Sequence, residues 1–411
     1  MRTASNKCEM SRKGRAVSIK KTVRDIEVAG QRVLVRVDFN VPLEDGVVLD
    51  DTRIRAALPT IRYLADHHAR VILCSHLGRP KDASDTQYSL KPVCQVLSRL
   101  LGREVSFAGG ELDTEVLAAT ENMADGEVML IENLRFHPGE KSKDPEFARQ
   151  LASLAEIYVN DAFGTAHRDH ASTVGVAELL PAVSGLLLAH EVEMLTGTLG
   201  NPEKPFVGIL GGSKVSDKIA VIHKLLDTCD KLLIGGGMAF TFIAAKGLGV
   251  GNSLVEREWI DEARKMLEKA QETGCDLLLP IDLVVAAEIA EDATTFIVGR
   301  EEIPEGLMGL DIGPATAAMF QAEIERAKTI YWNGPMGVFE VTPFESGTRE
   351  VAKAVARNNR AVSVIGGGDS VAALKKFDYE DKVTFISTGG GASMKLVEGA
   401  KLPGLEALDN K

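Results

Sequence analysis

Cysteine is scarce in this chain of 411 residues: Cys8, Cys74, Cys94, Cys229 and Cys275 are scattered, with no C-x-x-C pair. An odd, sparse set excludes a disulfide framework or a cysteine-rich zinc site and suits a reducing compartment, so a cytoplasmic protein is expected. No apolar run reaches the roughly 18 residues that cross a bilayer, so no membrane-spanning helix is expected and no membrane partner. Excess positive charge is lacking too. Lys and Arg number 47 against 59 Asp and Glu, a net charge of −12, which argues against a general nucleic-acid binder. The common nucleotide fingerprints are missing as well. There is no G-x-x-x-x-G-K-[ST] loop and no strand-linked G-x-G-x-x-G with a downstream ribose acid. The run Gly247–Gly251 follows a helical pattern, not a strand. P-loop and dehydrogenase readings lose their support.

What is present is ordinary globular composition, 45% hydrophobic and 26% charged, which excludes disordered, collagenous and coiled-coil chains. The length suits two large domains. Basic residue type changes between the halves: residues 1–200 hold 16 Arg and 8 Lys, residues 201–411 hold 7 and 16. The first 24 residues carry eight basic side chains and one acid, Glu9, with no apolar core behind them. That is not a secretory signal. A transit peptide, a disordered extension and an early start codon all fit. Residues 1–19 are expected to be a disordered basic extension.

Strand and helix patterns alternate. Strands are expected over 32–39, 70–76, 128–132 and 157–160, with helices over 53–67, 90–101 and 145–155. A long helix is expected from Ala182 to about Gly200, ending at Gly200-Asn201-Pro202, and it marks a junction. The alternation then restarts, with strands at 206–210, 231–234, 276–279, 329–332, 361–365 and 382–386. Helices are expected at 215–229, 259–273, 318–327 and 349–358. The fold class is α/β, two doubly wound parallel-sheet domains joined by the interdomain helix. The expected domains are 20–185 and 186–394, with 395–411 returning to the first.

In open parallel sheets ligands bind at the carboxyl ends of the strands. In the second half these ends run into glycine: Gly211-Gly212-Ser213-Lys214, Gly235-Gly236-Gly237, Gly366-Gly367-Gly368-Asp369-Ser370, and Gly389-Gly390-Gly391. Such loops turn N–H groups toward a ligand, and a helix N-terminus behind them favours phosphate. In the first half the loops carry Asp38 and Asn40, His76 and Arg79, Arg135, and His167 and Arg168, while Arg53 opens the following helix. Arginine forks suit phosphate or carboxylate. Together they predict a pocket for a small polyanion. His76 and His167 fit a general base, a hydrogen-bond donor or a structural role.

VLVRVDFNVP (33–42), SHLGRP (75–80), ENLRFHPGE (132–140), NDAFGTAHRDHAS (160–172), GILGGSKVSDKI (208–219), GGGMAFTF (235–242), GLDIGPAT (309–316), WNGPMGVFE (332–340), IGGGDS (365–370) and STGGGAS (387–393) together resemble the phosphoglycerate kinase family, in order, from about residue 20 to the end. The resemblance implies two Rossmann-like domains. The amino domain would take 3-phosphoglycerate or 1,3-bisphosphoglycerate, and the carboxyl domain Mg-ADP or Mg-ATP. Carried over by motif, Asp38, Asn40, Arg53, His76, Arg79, Arg135 and Arg168 would hold the glycerate. Lys214 and Lys218 would reach the nucleotide phosphates, with Arg53 and Lys218 flanking the transferred group. Asp369 would hold Mg2+. Asn333 would contact phosphate and Glu340 ribose. Gly237 and Gly309 would line the adenine slot. Gly367, Gly368 and Ser370 would meet the nucleotide, and Gly368, Gly390 and Gly391 would donate N–H groups to the transition state. Leu402–Leu408 would pack on the amino domain.

The implied reaction needs no general base, because its nucleophiles are ionised at neutral pH. His76 and His167 are then expected as donors. Catalysis reduces to positioning, charge neutralisation and exclusion of water, with hinge closure around 182–200. A monomer is expected. Ser370 stands where the family commonly has Thr. Asp169 follows Arg168 where a small residue is usual, and would either pair with Arg168 or face solvent. A nicotinamide dehydrogenase would need glycines where Asp38-Phe39-Asn40 stands. A non-catalytic scaffold would have no need of Arg53, Lys218 and Asp369.

Overall fold

The computed structural model describes residues 20–110 and 112–411; the basic extension 1–19 lies outside them. Two six-stranded parallel sheets organise the chain. The first has the spatial order 105–108, 128–131, 70–74, 32–36, 157–160, 182–184. Arg32–Arg36 lies at its centre, paired in parallel with Arg70–Cys74 on one side and Ile157–Asn160 on the other. Val33 and Val35 point to one face, Leu34 to the other, as period-two alternation requires. The first face is covered by the helices Thr52–Asp66 and Lys91–Leu101, the second by Thr114–Glu121 and Pro145–Ser153.

The second sheet runs 276–278, 231–234, 206–210, 329–333, 362–366, 385–386. Its chain order is 3-2-1-4-5-6, the doubly wound order whose switch point opens a crevice between the first and fourth strands. Those strands are Phe206–Leu210 and Thr329–Asn333. A three-stranded antiparallel sheet, 296–299, 282–286 and 308–312, flanks this lobe. Sequence reasoning missed it, because it interrupts the β–α rhythm. The helix Met238–Ala245 was missed for another reason: it is buried almost all round, so it has no amphipathic stripe.

The interdomain segment differs from expectation. Ala182–Ser184 is not helical but the sixth strand of the first sheet, paired with Tyr158–Asn160. Helix begins at Leu186, after Gly185. A Cβ on Gly185 would strike the Asp161 carboxylate, whose Oδ1 accepts the N–H groups of Leu187 and Leu188. That carboxylate is the helix cap, and burial pushes its pKa up to about 6. The helix widens to π-type winding over Glu193–Thr198. Leu188, Leu195 and Leu199 belong to one apolar core that continues into both lobes. Leu402, Leu405 and Leu408 join the same core, and Gly404 N–H donates to the Ala166 carbonyl at 2.8 Å.

Candidate active site

The carboxyl ends of the first sheet open into a cavity of about 550 Å3. Asp38, Asn40, Arg53, His76, Arg79, Arg135 and Arg168 all line it. Each arrives from the loop after a strand, except Arg53, which comes from the first turn of Thr52–Asp66. Arg53 Nη1 donates to the Asn40 carbonyl at 3.0 Å and lies 3.3 Å from Asp38 Oδ1. Asn40 Oδ1 accepts the Gly78 N–H at 2.8 Å, and Arg135 Nη1 donates to the Gly78 carbonyl at 2.6 Å. Buried Arg135 Nε and His167 Nδ1 have no hydrogen-bond partner among the described residues. Such atoms are costly unless a ligand or water meets them. Burial, then the charges of Arg168 and Lys395, push the pKa of His167 down to about 4. A neutral imidazole at physiological pH suits a donor, not an acid switch. Asp169 does not pair with Arg168. It lies 3.1 Å from Lys143 Nζ, and the Arg168 guanidinium has no side-chain partner among the described residues.

Lys141, Thr165 and His170 also line this cavity and were not singled out in the sequence. Neither was Arg36, 1% exposed beneath it. Its signal was legible: strand alternation puts Arg36 on the same face as Leu34, so a charge stands at a core-facing position.

Across from this cavity, the switch-point crevice of the second sheet holds a smaller one of about 270 Å3. Lys214, Lys218, Asn333, Gly367, Gly368, Asp369, Gly390 and Gly391 line it. Lys218 is 8% exposed. Its Nζ donates to the Asn333 carbonyl at 2.7 Å and to Asn333 Oδ1 at 2.6 Å. No carboxylate lies within ion-pair distance of it among the described residues. Burial pulls its pKa down to about 8, against weak upward pulls from Asp369 and Asp217. A cation held this way is primed for an anion. Ser370 is placed differently from the other expected residues. It is fully buried, its Oγ accepts the Gly334 N–H at 2.5 Å, and it lines none of these cavities. Its hydroxyl pins the turn after Thr329–Asn333.

A third cavity, about 430 Å3, adjoins the second at Gly212, Ser213 and Asp369. It contains Gly237, Gly309 and Glu340, and its walls are mostly apolar: Phe240, Leu254, Leu283, Pro335 and Val338. A Cβ on Gly309 would overlap the Phe240 ring, so glycine keeps a flat slot open. The cationic cavities of the two lobes meet at Gly390 and Gly391, which line both. Gly390 has φ +49°, a conformation that side chains resist, and the helix Gly391–Val397 starts there. Opposite lobes also touch through Lys375 Nζ, 2.7 Å from Asp50 Oδ2 and 2.9 Å from Thr52 Oγ1. Nearer the interdomain helix, buried Glu191 accepts from Ser387 Oγ at 2.7 Å and from Thr388 N–H at 2.6 Å.

Asp369 would fit a divalent cation that brings other ligands of its own. No group of three or more His, Cys, Asp or Glu among the described residues forms a cage of its own. Asp369 lines both cavities of the second lobe and accepts no protein hydrogen bond among the described residues. One free carboxylate beside a lysine-lined cavity matches how Mg2+ bound with phosphates is commonly held.

An arginine-lined cavity on one lobe, a lysine-lined cavity beside an apolar slot on the other, and a glycine turn lining both suit a two-domain enzyme that brings two ligands together. The sequence pattern of the phosphoglycerate kinase family matches residues 23–400. The phosphoglycerate kinase of Rubrobacter xylanophilus is 56% identical over 392 residues, which cover 95% of this chain and 99% of that protein. That of Dictyoglomus turgidum is 53% identical over 395 residues, covering 95% and 100%. Among solved structures, the phosphoglycerate kinase from Coxiella burnetii matches with a TM-score of 0.86 at 42% identity, covering 94% of this chain and 98% of that one. The chain belongs to the phosphoglycerate kinase family.

Proposed function

We propose that the chain moves the acyl phosphate of 1,3-bisphosphoglycerate directly and reversibly onto Mg-ADP, giving 3-phosphoglycerate and ATP in glycolysis and gluconeogenesis. The acceptor in the reverse direction is a carboxyl group. The observation that carries this is the turn at Gly390 and Gly391, two residues that line both the arginine-lined and the lysine-lined cavity.

In this reading Asp38, Asn40, His76, Arg79, Arg135 and Arg168 bind and orient the glycerate. Arg53 stands beside the transferred group from the glycerate side, and Lys214 and Lys218 from the nucleotide side. Gly368, Gly390 and Gly391 offer N–H groups to its equatorial oxygens. Gly237 and Gly309 flank the base, Glu340 takes the ribose, Asn333 a phosphate, and Gly367 and Asp369 complete the phosphate pocket. The Ser370 hydroxyl supports that pocket through Gly334. Asp369 holds Mg2+, which when bound neutralises phosphate charge. Both nucleophiles are ionised at neutral pH, so the side chains supply positioning and charge and no base.

Lobe closure about the 186–198 segment excludes water from the acyl phosphate. A coupled assay of ATP consumption with 3-phosphoglycerate tests the reading. Wild type turns over, and Lys218→Ala loses about 10²-fold or more, the scale for removing a transition-state charge partner. An inactive wild type would overturn the function, and a fully active variant the role of Lys218.

A further inference from the structure

Arg36 ends the central strand Arg32–Arg36 and is buried beneath the glycerate-side cavity without lining it. A buried guanidinium needs both charge balance and hydrogen-bond acceptors. The balance comes from Glu140, which is 0% exposed. Ser172 joins the two groups. Its Oγ accepts from Arg36 Nε at 2.8 Å and donates to Glu140 Oε1 at 2.7 Å, while its N–H donates to Glu140 Oε2 at 3.0 Å. His170 Nδ1 lies 3.6 Å from Glu140 Oε1. Arg36 Nη1 donates to the Val37 carbonyl. Its Nη2 is 3.2 Å from His76 Nδ1.

The last contact has one consistent chemistry. A guanidinium only donates, so His76 Nδ1 must accept. The proton of a neutral ring is then on Nε2. Asp38 Oδ1, at 3.9 Å from Nδ1, is too far to compete for a proton there. The groups facing the ring are Arg36 from the central strand, Arg53 from the first turn of Thr52–Asp66, Arg135 from the loop after Val128–Ile131, His170, and Asp38. Burial, followed by the charges of Arg36, Arg135, Arg53 and His170, pushes the imidazole well below its ordinary range. His76 therefore has one proton, and Nε2 makes no hydrogen bond to protein among the described residues. His76 itself lines the cavity.

We propose that Arg36 is a positioning residue that acts through His76: it fixes the ring as a neutral Nε2–H donor for an anionic oxygen of the glycerate substrate, with Ser172 and Glu140 holding Arg36 in turn. The substrate half of this statement rests on the function proposed above; the tautomer half does not. The role differs from mere packing, because a packing residue would change stability and leave the ring's proton where it was.

The test is 15N NMR of the full chain labelled at histidine, with His76 assigned by His76→Gln. In ligand-free wild type from pH 6 to 9, Nδ1 should show the unprotonated signature and Nε2 the protonated one, with no titration. Arg36→Met leaves Glu140 buried without its partner, so Arg36→Met/Glu140→Gln, which removes both charges, is the working variant. It should show mixed tautomers and a His76 pKa moved up toward ordinary values. The KM for 3-phosphoglycerate should rise about ten-fold, as loss of one hydrogen bond to a charged group implies, with a smaller change in kcat. A wild-type ring protonated on Nδ1, or a tautomer unchanged in the double variant, would overturn the proposal. A correct tautomer in a protein that 3-phosphoglycerate neither perturbs nor reacts with would overturn the functional reading instead.

Discussion

Replacing Lys218 by methionine should leave the ligand-free protein at least as stable at pH 7 while disabling it. Lys218 is 8% exposed, and among the described residues its ammonium is bonded only to Asn333 oxygens. Its fall from 10.5 to about 8 corresponds to ~3 kcal/mol of destabilisation while both folded and unfolded states are protonated. The folded-state pKa is the lower one. Below pH 8 the cost is therefore full. Between pH 8 and 10.5 the folded form sheds its proton first, the unfolded form binds more protons, and wild-type stability rises.

Methionine removes that cost but leaves the two Asn333 acceptors without a donor, worth about 1–3 kcal/mol in the other direction. The variant should thus match or exceed wild type at pH 7 by up to ~2 kcal/mol and fall below it near pH 10. The gap should move by ~2 kcal/mol over that interval. Urea unfolding of both proteins at several pH values measures it. Saturating Mg-ADP should reverse the order at pH 7 by stabilising wild type selectively. A gap constant with pH would refute the reasoning, since it would mean that Lys218 does not carry a buried charge into the folded state.

Asp369→Asn should raise the KM for Mg-ADP about ten-fold or more and leave calorimetric binding of 3-phosphoglycerate unchanged, as expected of a carboxylate on the nucleotide side alone; weakened glycerate binding would contradict that placement. Lys375→Ala breaks the cross-cleft pair with Asp50, each side chain being 37% and 41% exposed. It should cost under ~1 kcal/mol of stability yet enlarge the radius of gyration of the free protein, and an unchanged scattering profile would dismiss the contact as incidental. Free protein and ternary complex should likewise scatter differently, whereas matching profiles would argue against closure. Asp169→Ala should change the KM for 3-phosphoglycerate by less than about two-fold, because its partner is Lys143 at 3.1 Å; a marked fall would restore a role for it beside Arg168.

Most of this architecture was legible because the chain keeps its local and global signals consistent. RVLVR and RVILC read as strands from alternation and β-branching, and they are neighbours at the centre of the first sheet. Strand-end loops were legible for the same reason, and the seven residues expected on the glycerate side do line one cavity. Where reading failed, tertiary context had overridden local pattern. Ala182–Ser184 looks helical by continuity with Leu186–Val192, yet pairing with Tyr158–Asn160 draws it into the sheet. The antiparallel strands 282–286, 296–299 and 308–312 carry no hairpin signal of two residues between them. Ser370 is expected at the nucleotide from its place beside Asp369; that its Oγ also accepts the Gly334 N–H is a contact only the fold shows. Arg36 and Glu140 were invisible as a pair because 104 positions of sequence separate them, and only the fold shows that Ser172 bridges both.

The central claim is that phosphate crosses the Gly390–Gly391 junction in one direct step. The stereochemistry at phosphorus tests it most directly, using ATP made chiral at the γ-phosphoryl group with oxygen isotopes and 3-phosphoglycerate as acceptor. A single in-line displacement predicts inversion of configuration in the acyl phosphate formed. Retention would require a phosphorylated enzyme intermediate and would contradict the account.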